Sequence, residues 1–223
     1  IITTLLAERR ARAQEQWRQR TASELSISVG MGTCGLAAGA GETLAAIEAE
    51  IQRRGIAAAI SQVGCVGMCS YEPMVELQGR DRPRINYGHA SAAQVAEIFQ
   101  HYYDGQPLRN AVIVGEVLPT VIQVDGHALR SLSFVQPDGR ERIAFQSKQL
   151  RVVLSNCGLI DPESIDDYLA LDGYVALENV LSSMTPEEVI EEITRSGLRG
   201  RGGGGFPAGV KWGLARKTQC WPK

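Results

Sequence analysis

The sequence predicts a mixed α/β fold, and three observations predict it. Leu25, Ile27 and Val29 alternate with polar or small residues, the period of a strand with one buried face. Leu44, Ile47 and Ile51 then recur at helical spacing. Further apolar runs continue the order strand, helix, strand, strand, strand, helix, the pattern of a four-stranded sheet covered by helices.

Residues 1–23 open with Ile1, Ile2, Leu5 and Leu6 and turn highly charged from Arg9 to Arg20. They read as an amphipathic surface helix, with Trp17 as a packing anchor and no chemistry of its own. Residues 24–105 form the first domain. Its first helix carries Glu42 in the opening turn, Arg53 and Arg54 in the last, and Gly55 as its stop. Strands are expected at 56–63, 74–77 and 84–87. Ser91-Ala92-Ala93-Gln94 reads as a capping box, opening a helix with Val95, Ile98, Phe99 and Tyr102 on one side and Gly105 beyond it.

Residues 106–148 read as a connector with one or two hairpins. Short apolar segments lie at 111–114, 121–124, 132–135 and 143–145, with turns at Asp125-Gly126 and Pro137-Asp138-Gly139, and His127 exposed in a turn. Residues 149–223 are helical in pattern. Asp161 with Pro162 reads as an N-cap and first-turn proline, and Asp172-Gly173-Tyr174 begins another helix. Thr185-Pro186-Glu187-Glu188 is a capping box with proline at the first helical position. These carboxylates read as caps and solvated helix positions, not as an acid/base pair. Cys157 reads as a packed small residue, because no histidine lies near it in sequence.

Three cysteines of the first domain sit at strand ends. Cys34 follows the first strand in Met31-Gly32-Thr33-Cys34-Gly35, near the sheet's edge and the start of a helix; Cys65 and Cys69 follow the second strand in Gly64-Cys65-Val66-Gly67-Met68-Cys69. Glycines beside the sulfurs leave space for a bulky inorganic group, and thiolates are the ligands of iron–sulfur clusters. Small buried residues are the plain alternative. Zinc is another, although it usually takes four Cys or His ligands and only three are at hand. His89, the nearest histidine, reads as a surface residue at a turn.

Near the chain's end, five of the six residues from Gly200 to Gly205 are glycine, flanked by Arg199, Arg201, Phe206, Lys211 and Trp212. Bare backbone there reaches positive φ and lets a ligand approach amides that no side chain shields. Cations suit phosphate and aromatic faces suit flat rings, whereas a plain linker is rich in Gly and Ser alone. Gly200-x-Gly202-x-x-Gly205 matches the dinucleotide fingerprint in spacing, but that fingerprint needs a strand before it. Here a helix precedes, carrying Val189, Ile190 and Ile193 on one face and ending near Gly197, so the context is helix, loop, helix. No Gly-Lys-Ser/Thr follows, which excludes a Walker loop.

The totals exclude several function classes. A formal net charge of -2 gives no general affinity for nucleic acid or anionic membranes. No apolar run approaches the ~20 residues that span a bilayer. Five cysteines, an odd number, argue against a secreted disulfide scaffold and for a reducing cytoplasm. The chain begins at Ile1 without a methionine or a signal-peptide pattern, so a portion of a longer polypeptide is expected.

The stretch from Gly200 to Trp212 resembles the FMN and NADH loop of the flavoprotein subunit of NADH:quinone oxidoreductase (respiratory complex I) and of the diaphorase subunits of NAD-linked hydrogenases and formate dehydrogenases. Gly204 stands where relatives usually carry alanine, and Leu214 where several carry an aromatic. Residues 149–197, particularly Arg151 to Ser164, are similar to the same flavoprotein. The first domain resembles the thioredoxin-like 2Fe-2S ferredoxins, although Gly30 and Gly35 fall on that family's Cys-x4-Cys pair and Cys34 lies one place off.

The resemblance implies a thioredoxin-like ferredoxin domain, a connector and the start of an FMN/NADH-binding α/β domain. It implies that Gly200, Arg201, Gly202, Gly203 and Gly205 line the flavin and pyridine nucleotide, that Phe206 stacks on the nucleotide, and that Lys211 faces FMN. Cys34, Cys65 and Cys69 become the metal ligands of a 2Fe-2S centre, or the domain keeps the fold without metal and docks a partner subunit. A 4Fe-4S cluster belongs to a region downstream of this sequence. The implied partners are NAD(H), a small thioredoxin-like 2Fe-2S subunit and iron–sulfur, hydrogenase or formate dehydrogenase subunits, with a cytoplasmic location, at most peripheral to the membrane. A thiol oxidoreductase would need Cys-x-x-Cys, and the sequence has Cys-x3-Cys.

Overall fold

The computed structural model describes residues 2–124, 127–135 and 151–219. The turns expected at Asp125-Gly126 and Pro137-Asp138-Gly139, the segment 143–145 and Cys220 lie outside the described residues. The chain divides into two compact units, Arg10–Leu171 and, separately, Ile1–Arg9 with Asp172–Lys223.

After helix α1 (Ile2–Thr21), the larger unit is built on strands β1 (Leu25–Gly30), β2 (Ala58–Val63), β3 (Val75–Gly79), β4 (Arg84–Gly88), β5 (Val112–Val124) and β6 (His127–Val135). They form one mixed sheet in the order β2-β1-β3-β4-β5-β6, in which β1 and β2 run parallel and the other neighbours antiparallel. The sheet has six strands where four were expected, because 112–124 is one long strand that hydrogen-bonds to β4 and turns back as a hairpin with β6. His127 opens β6 opposite Val124. β1 is an interior strand, so Cys34 lies beyond the end of an interior strand and not at the sheet's edge.

The strand alternation sorts the two faces. Leu25, Ile27, Val29, Val75 and Leu77 point into a fully buried core, which Ile47 of α3 (Ala40–Arg54) and Val95, Ile98, Phe99 and Tyr102 of α4 (Val95–Asp104) complete. Ser26, Ser28, Glu76, Gln78 and Arg84 face the other way and line a cleft with Trp17 and Arg20. Glu76 is buried there and accepts a 2.5 Å hydrogen bond from Arg84 Nε. Burial raises its carboxyl pKa in spite of that cation. Arg20 stacks over Trp17 and donates to Asp167 at 2.7 Å, which fixes the end of α1.

Helix ends follow local chemistry with three corrections. α3 ends at Gly55 in the left-handed region, φ 67°, as its stop signal requires. Ser91 does not cap: its hydroxyl contacts the Gln94 side chain, a 3₁₀ turn occupies Ala92–Gln94, and α4 starts at Val95. Asp161 does not cap a helix either; its Oδ1 accepts the Glu163 amide at 2.9 Å, closing a local turn. The cap is Ser164, which accepts from the Asp167 amide at the start of α5 (Ile165–Ala170).

The smaller unit contains α6 (Val175–Ser183), α7 (Pro186–Arg195) and α8 (Ala208–Lys217). Asp172 and Tyr174, both at positive φ, form the turn into α6 and are not its first residues. The Thr185 box is complete: its hydroxyl accepts from the Glu188 amide, and Glu188 accepts from the Thr185 amide at 2.7 Å. α7 and α8 pack closely where Gly209 is buried, since a Cβ there would collide with Thr194.

Candidate cofactor and metal sites

The glycine-rich loop is the link between α7 and α8, helix on both sides as the sequence predicts. Its neck is closed by an antiparallel bridge between Arg199 and Pro207: Gly200 N donates to Phe206 O at 2.9 Å and Ala208 N to Leu198 O at 2.9 Å. Arg199 Nε adds a 2.6 Å bond to Gly205 O, so the loop is a closed noose. Gly203 and Gly205 sit at φ 102° and 58°, which explains glycine at those two positions. At Gly202 and Gly204 an added Cβ would meet nothing within 4 Å, so protein packing does not require glycine there, and close approach of a ligand would. Gly200, Arg201, Gly202, Gly203, Phe206 and Lys211 are exposed and Gly205 is half-buried. Phe206 leaves 52% of its surface open, an apolar ring on the same loop as an exposed cation.

In the larger unit the structure brings Cys34, Cys65 and Cys69 together. Cys34 stands in the short helix α2 (Thr33–Ala37), and Cys65 and Cys69 bracket the turn after β2. The three sulfurs all lie within 4.8 Å of one another. Gly32 permits this, because its Cβ would lie 3.1 Å from Cys65 Cβ and 3.2 Å from Cys65 N. Gly67, at φ 86°, turns its amide onto Cys65 Sγ at 3.2 Å. A tetrahedral metal with metal–sulfur bonds of about 2.3 Å holds two thiolates about 3.8 Å apart. Cys65 and Cys69 sulfurs stand 3.6 Å apart, so this donor set fits a thiophilic metal or an iron–sulfur cluster.

Electrostatics match that reading. Burial first, then hydrogen bonding with Cys65 and Cys69 and the charges of Cys65 and Glu72, push the Cys34 thiol up to about 12. Burial thus keeps the Cys34 thiol protonated, and a bound cation would favour its thiolate. His89, exposed at φ 53° with its ring 5.8 Å from that of Tyr71, is not among the grouped ligand atoms.

Two residues that sequence reasoning missed support the cysteines. Arg151, 6% exposed, donates from Nη2 to Val66 O at 2.5 Å and so ties the Cys65 loop to a segment 85 residues away. Burial lowers its pKa while Cys157 and Cys65 act in the opposite sense. Glu72, 8% exposed, accepts the Met74 amide at 2.8 Å and faces Cys34. No pattern marks Arg151 in advance, but Glu72 stands three residues after Cys69, a spacing that could have been noticed.

No family model matches the chain. It is 64% identical over 70 residues to HndC, a component of the NADP-reducing hydrogenase of Solidesulfovibrio fructosivorans, a match covering 31% of this chain and 14% of that protein. It is 43% identical over 72 residues to the second F-type component of the NADH-quinone oxidoreductase of Rhizobium meliloti, covering 32% and 17%. With the F-type component of the same enzyme in Aquifex aeolicus it shares 58% identity over 52 residues, covering 23% and 12%. The matched stretches thus span less than a fifth of each relative's length. Among solved structures, a thioredoxin-like [2Fe-2S] ferredoxin from Aquifex aeolicus overlaps 43% of this chain and 94% of its own, with a TM-score of 0.35 and 20% identity. The chain is therefore similar, over about a quarter to a third of its length, to the F-type components of NADH-quinone oxidoreductases and to the HndC component of an NADP-reducing hydrogenase.

Proposed function

We propose that this chain is part of an NAD(H)-linked flavoprotein that carries electrons between NAD(H), FMN and the iron–sulfur centres of a multisubunit oxidoreductase. The observation that carries the reading is the exposed noose of Gly200–Gly205 between α7 and α8, where glycine persists at positions that packing leaves free. Sequence similarity to components of NADH-quinone oxidoreductase and hydrogenase supports it.

Bound FMN supplies the exchange of electron pairs with a nicotinamide and of single electrons with iron–sulfur centres. The chain's own residues bind and orient. Gly200, Gly202, Gly203 and Gly205 let backbone amides approach the ligands, and Arg201 and Lys211 offset phosphate charge. Phe206 presents a ring face to a flat heterocycle. No residue of the loop acts as a general base. Cys34, Cys65 and Cys69 hold a 2Fe-2S centre in the larger unit, and the partners are a small thioredoxin-like 2Fe-2S subunit and hydrogenase, formate dehydrogenase or other iron–sulfur subunits, on the cytoplasmic side. Among the described residues no helix is long and apolar enough to cross a membrane.

Titrating the complete subunit that contains this chain with FMN and with NADH tests the loop. Gly202→Val, which fills the approach, and Lys211→Ala, which removes a cation, are expected to weaken binding by about tenfold or more. Affinities unchanged by both substitutions would overturn the assignment.

A further inference from the structure

Cys34, Cys65 and Cys69 are spaced for one metal ion. All three sulfurs lie within 4.8 Å of one another, and those of Cys65 and Cys69 are 3.6 Å apart. Thiolates bound to one ion at about 2.3 Å stand about 3.8 Å from each other, so closing the widest pair takes a shift of at most about 1 Å. Thiolates carried on the two metals of a binuclear cluster stand farther apart than these sulfurs do. A 2Fe-2S centre therefore requires the group to spread, whereas a single ion draws it in.

The surrounding chain suits such an ion. Cys65-x3-Cys69 falls within the two-to-four-residue spacing of paired zinc ligands. Between the two, Gly67 at φ 86° directs its amide at Cys65 Sγ over 3.2 Å, a hydrogen bond that favours the thiolate. A divalent ion on three thiolates leaves a single negative charge, and the guanidinium of Arg151 lies within electrostatic reach of Cys65. Among the described residues no further His, Cys or carboxylate joins the grouped ligand atoms. Cys69 is exposed, so the fourth coordination position opens to solvent.

We infer that Cys34, Cys65 and Cys69 bind a single thiophilic divalent ion of the zinc class, with water as its fourth ligand, and that this ion competes with cluster assembly for the same thiols. Such binding is independent of the flavoprotein reading, since it needs the three sulfurs and nothing from the glycine-rich loop. Zinc has no redox chemistry, so a zinc-loaded chain has its cysteine loops fixed but passes no electron through them.

The test uses the whole chain, reduced and freed of metal under anaerobic conditions, then titrated with Co²⁺ and with Zn²⁺. One Co²⁺ per chain is expected, with sulfur-to-cobalt charge-transfer bands and the intense visible bands of a tetrahedral site, all removed by added Zn²⁺. Zinc-edge X-ray absorption should count three sulfur neighbours and one oxygen. Cys34→Ser, Cys65→Ser and Cys69→Ser should each weaken zinc binding by about a hundredfold or more, and Cys157→Ser, outside the group, should not. Circular dichroism confirms that the variants fold, and the wild-type cobalt spectrum needs no variant. Zinc loaded first should lower the iron and sulfide taken up on reconstitution by about tenfold or more; uptake undiminished by bound zinc would overturn the competition. A folded chain that gives no tetrahedral cobalt spectrum, or that binds zinc equally well after any of the three substitutions, overturns the zinc site. If that chain still retains iron and sulfide, the cluster reading stands without it.

Discussion

Gly209→Ala probes how the glycine-rich loop is held. An added Cβ would stand 2.8 Å from Thr194 Cα and 2.9 Å from Thr194 Cβ, and closer still to Thr194 Oγ1. The hydroxyl could rotate away at the loss of its 2.7 Å bond to Ile190 O, but the two carbons are fixed by the backbone of α7. Relief therefore requires α8 to move. Overpacking of this kind costs about 1–3 kcal/mol, against a helix-propensity gain of at most about 1 kcal/mol. With one of the colliding atoms in the main chain, overpacking wins by about 1–2 kcal/mol, which lowers Tm by roughly 4 °C or more. Gly213→Ala is the matched control in the same helix. Its Cβ would meet nothing nearer than Ile190 Cγ2 at 3.9 Å, so propensity acts alone and stability rises by up to about 1 kcal/mol. Thermal melts of the two variants by circular dichroism should move in opposite directions. Because α8 starts at the neck of the loop, Gly209→Ala should also weaken FMN binding and Gly213→Ala should not. A Gly209→Ala protein as stable as the wild type would refute this account of the α7–α8 contact.

Three further outcomes follow from the structure. Thr185→Ala removes the hydroxyl that accepts the Glu188 amide, leaving only the backbone half of the capping box, and should destabilise the smaller unit by about 1 kcal/mol, read in urea denaturation. Glu50, held down to about 2 by hydrogen bonds and charges from Arg53 and Arg54, contributes stability that is complete above its ordinary value of 4.5 and disappears as pH falls to about 2. Glu50→Gln should cost about 1–2 kcal/mol at pH 7 after allowance for the exposed Arg53, with the Tm gap to wild type narrowing between those pH values; a gap independent of pH would count against the ion pairs. Gly35→Ala would drive a Cβ into the carbonyl of Gly30 and toward Glu72, displacing α2, so we expect about 1–3 kcal/mol of destabilisation in denaturant titrations and a parallel fall in iron retained after reconstitution.

What could be read from the sequence was local. The alternation at Leu25, Ile27 and Val29, the stop at Gly55 and the box at Thr185 each depend on neighbours within a turn or a strand, and each stands in the structure as expected. The helix, loop, helix context of Gly200–Gly205 was legible for the same reason. Features set by long-range pairing were not. The hairpin expected within 106–148 is present as β5 and β6, but nothing in 112–124 announces that it will join β4 and extend the sheet. Capping failed where two chemistries competed: Ser91 has a nearby Gln94 side chain for its hydroxyl, and Asp161 closes its own turn before the helix begins. Around the cysteines, spacing marked the sulfurs, but the contributions of Arg151 and Glu72 depend on how separate segments meet in the fold.

The central claim is tested most directly by mixing NADH anaerobically with the complete subunit that contains this chain, after reconstitution with FMN, iron and sulfide, and following flavin absorbance and then EPR. The account predicts that NADH bleaches the bound flavin and that a reduced-cluster signal appears. A flavin that dithionite reduces but NADH leaves oxidised would contradict it.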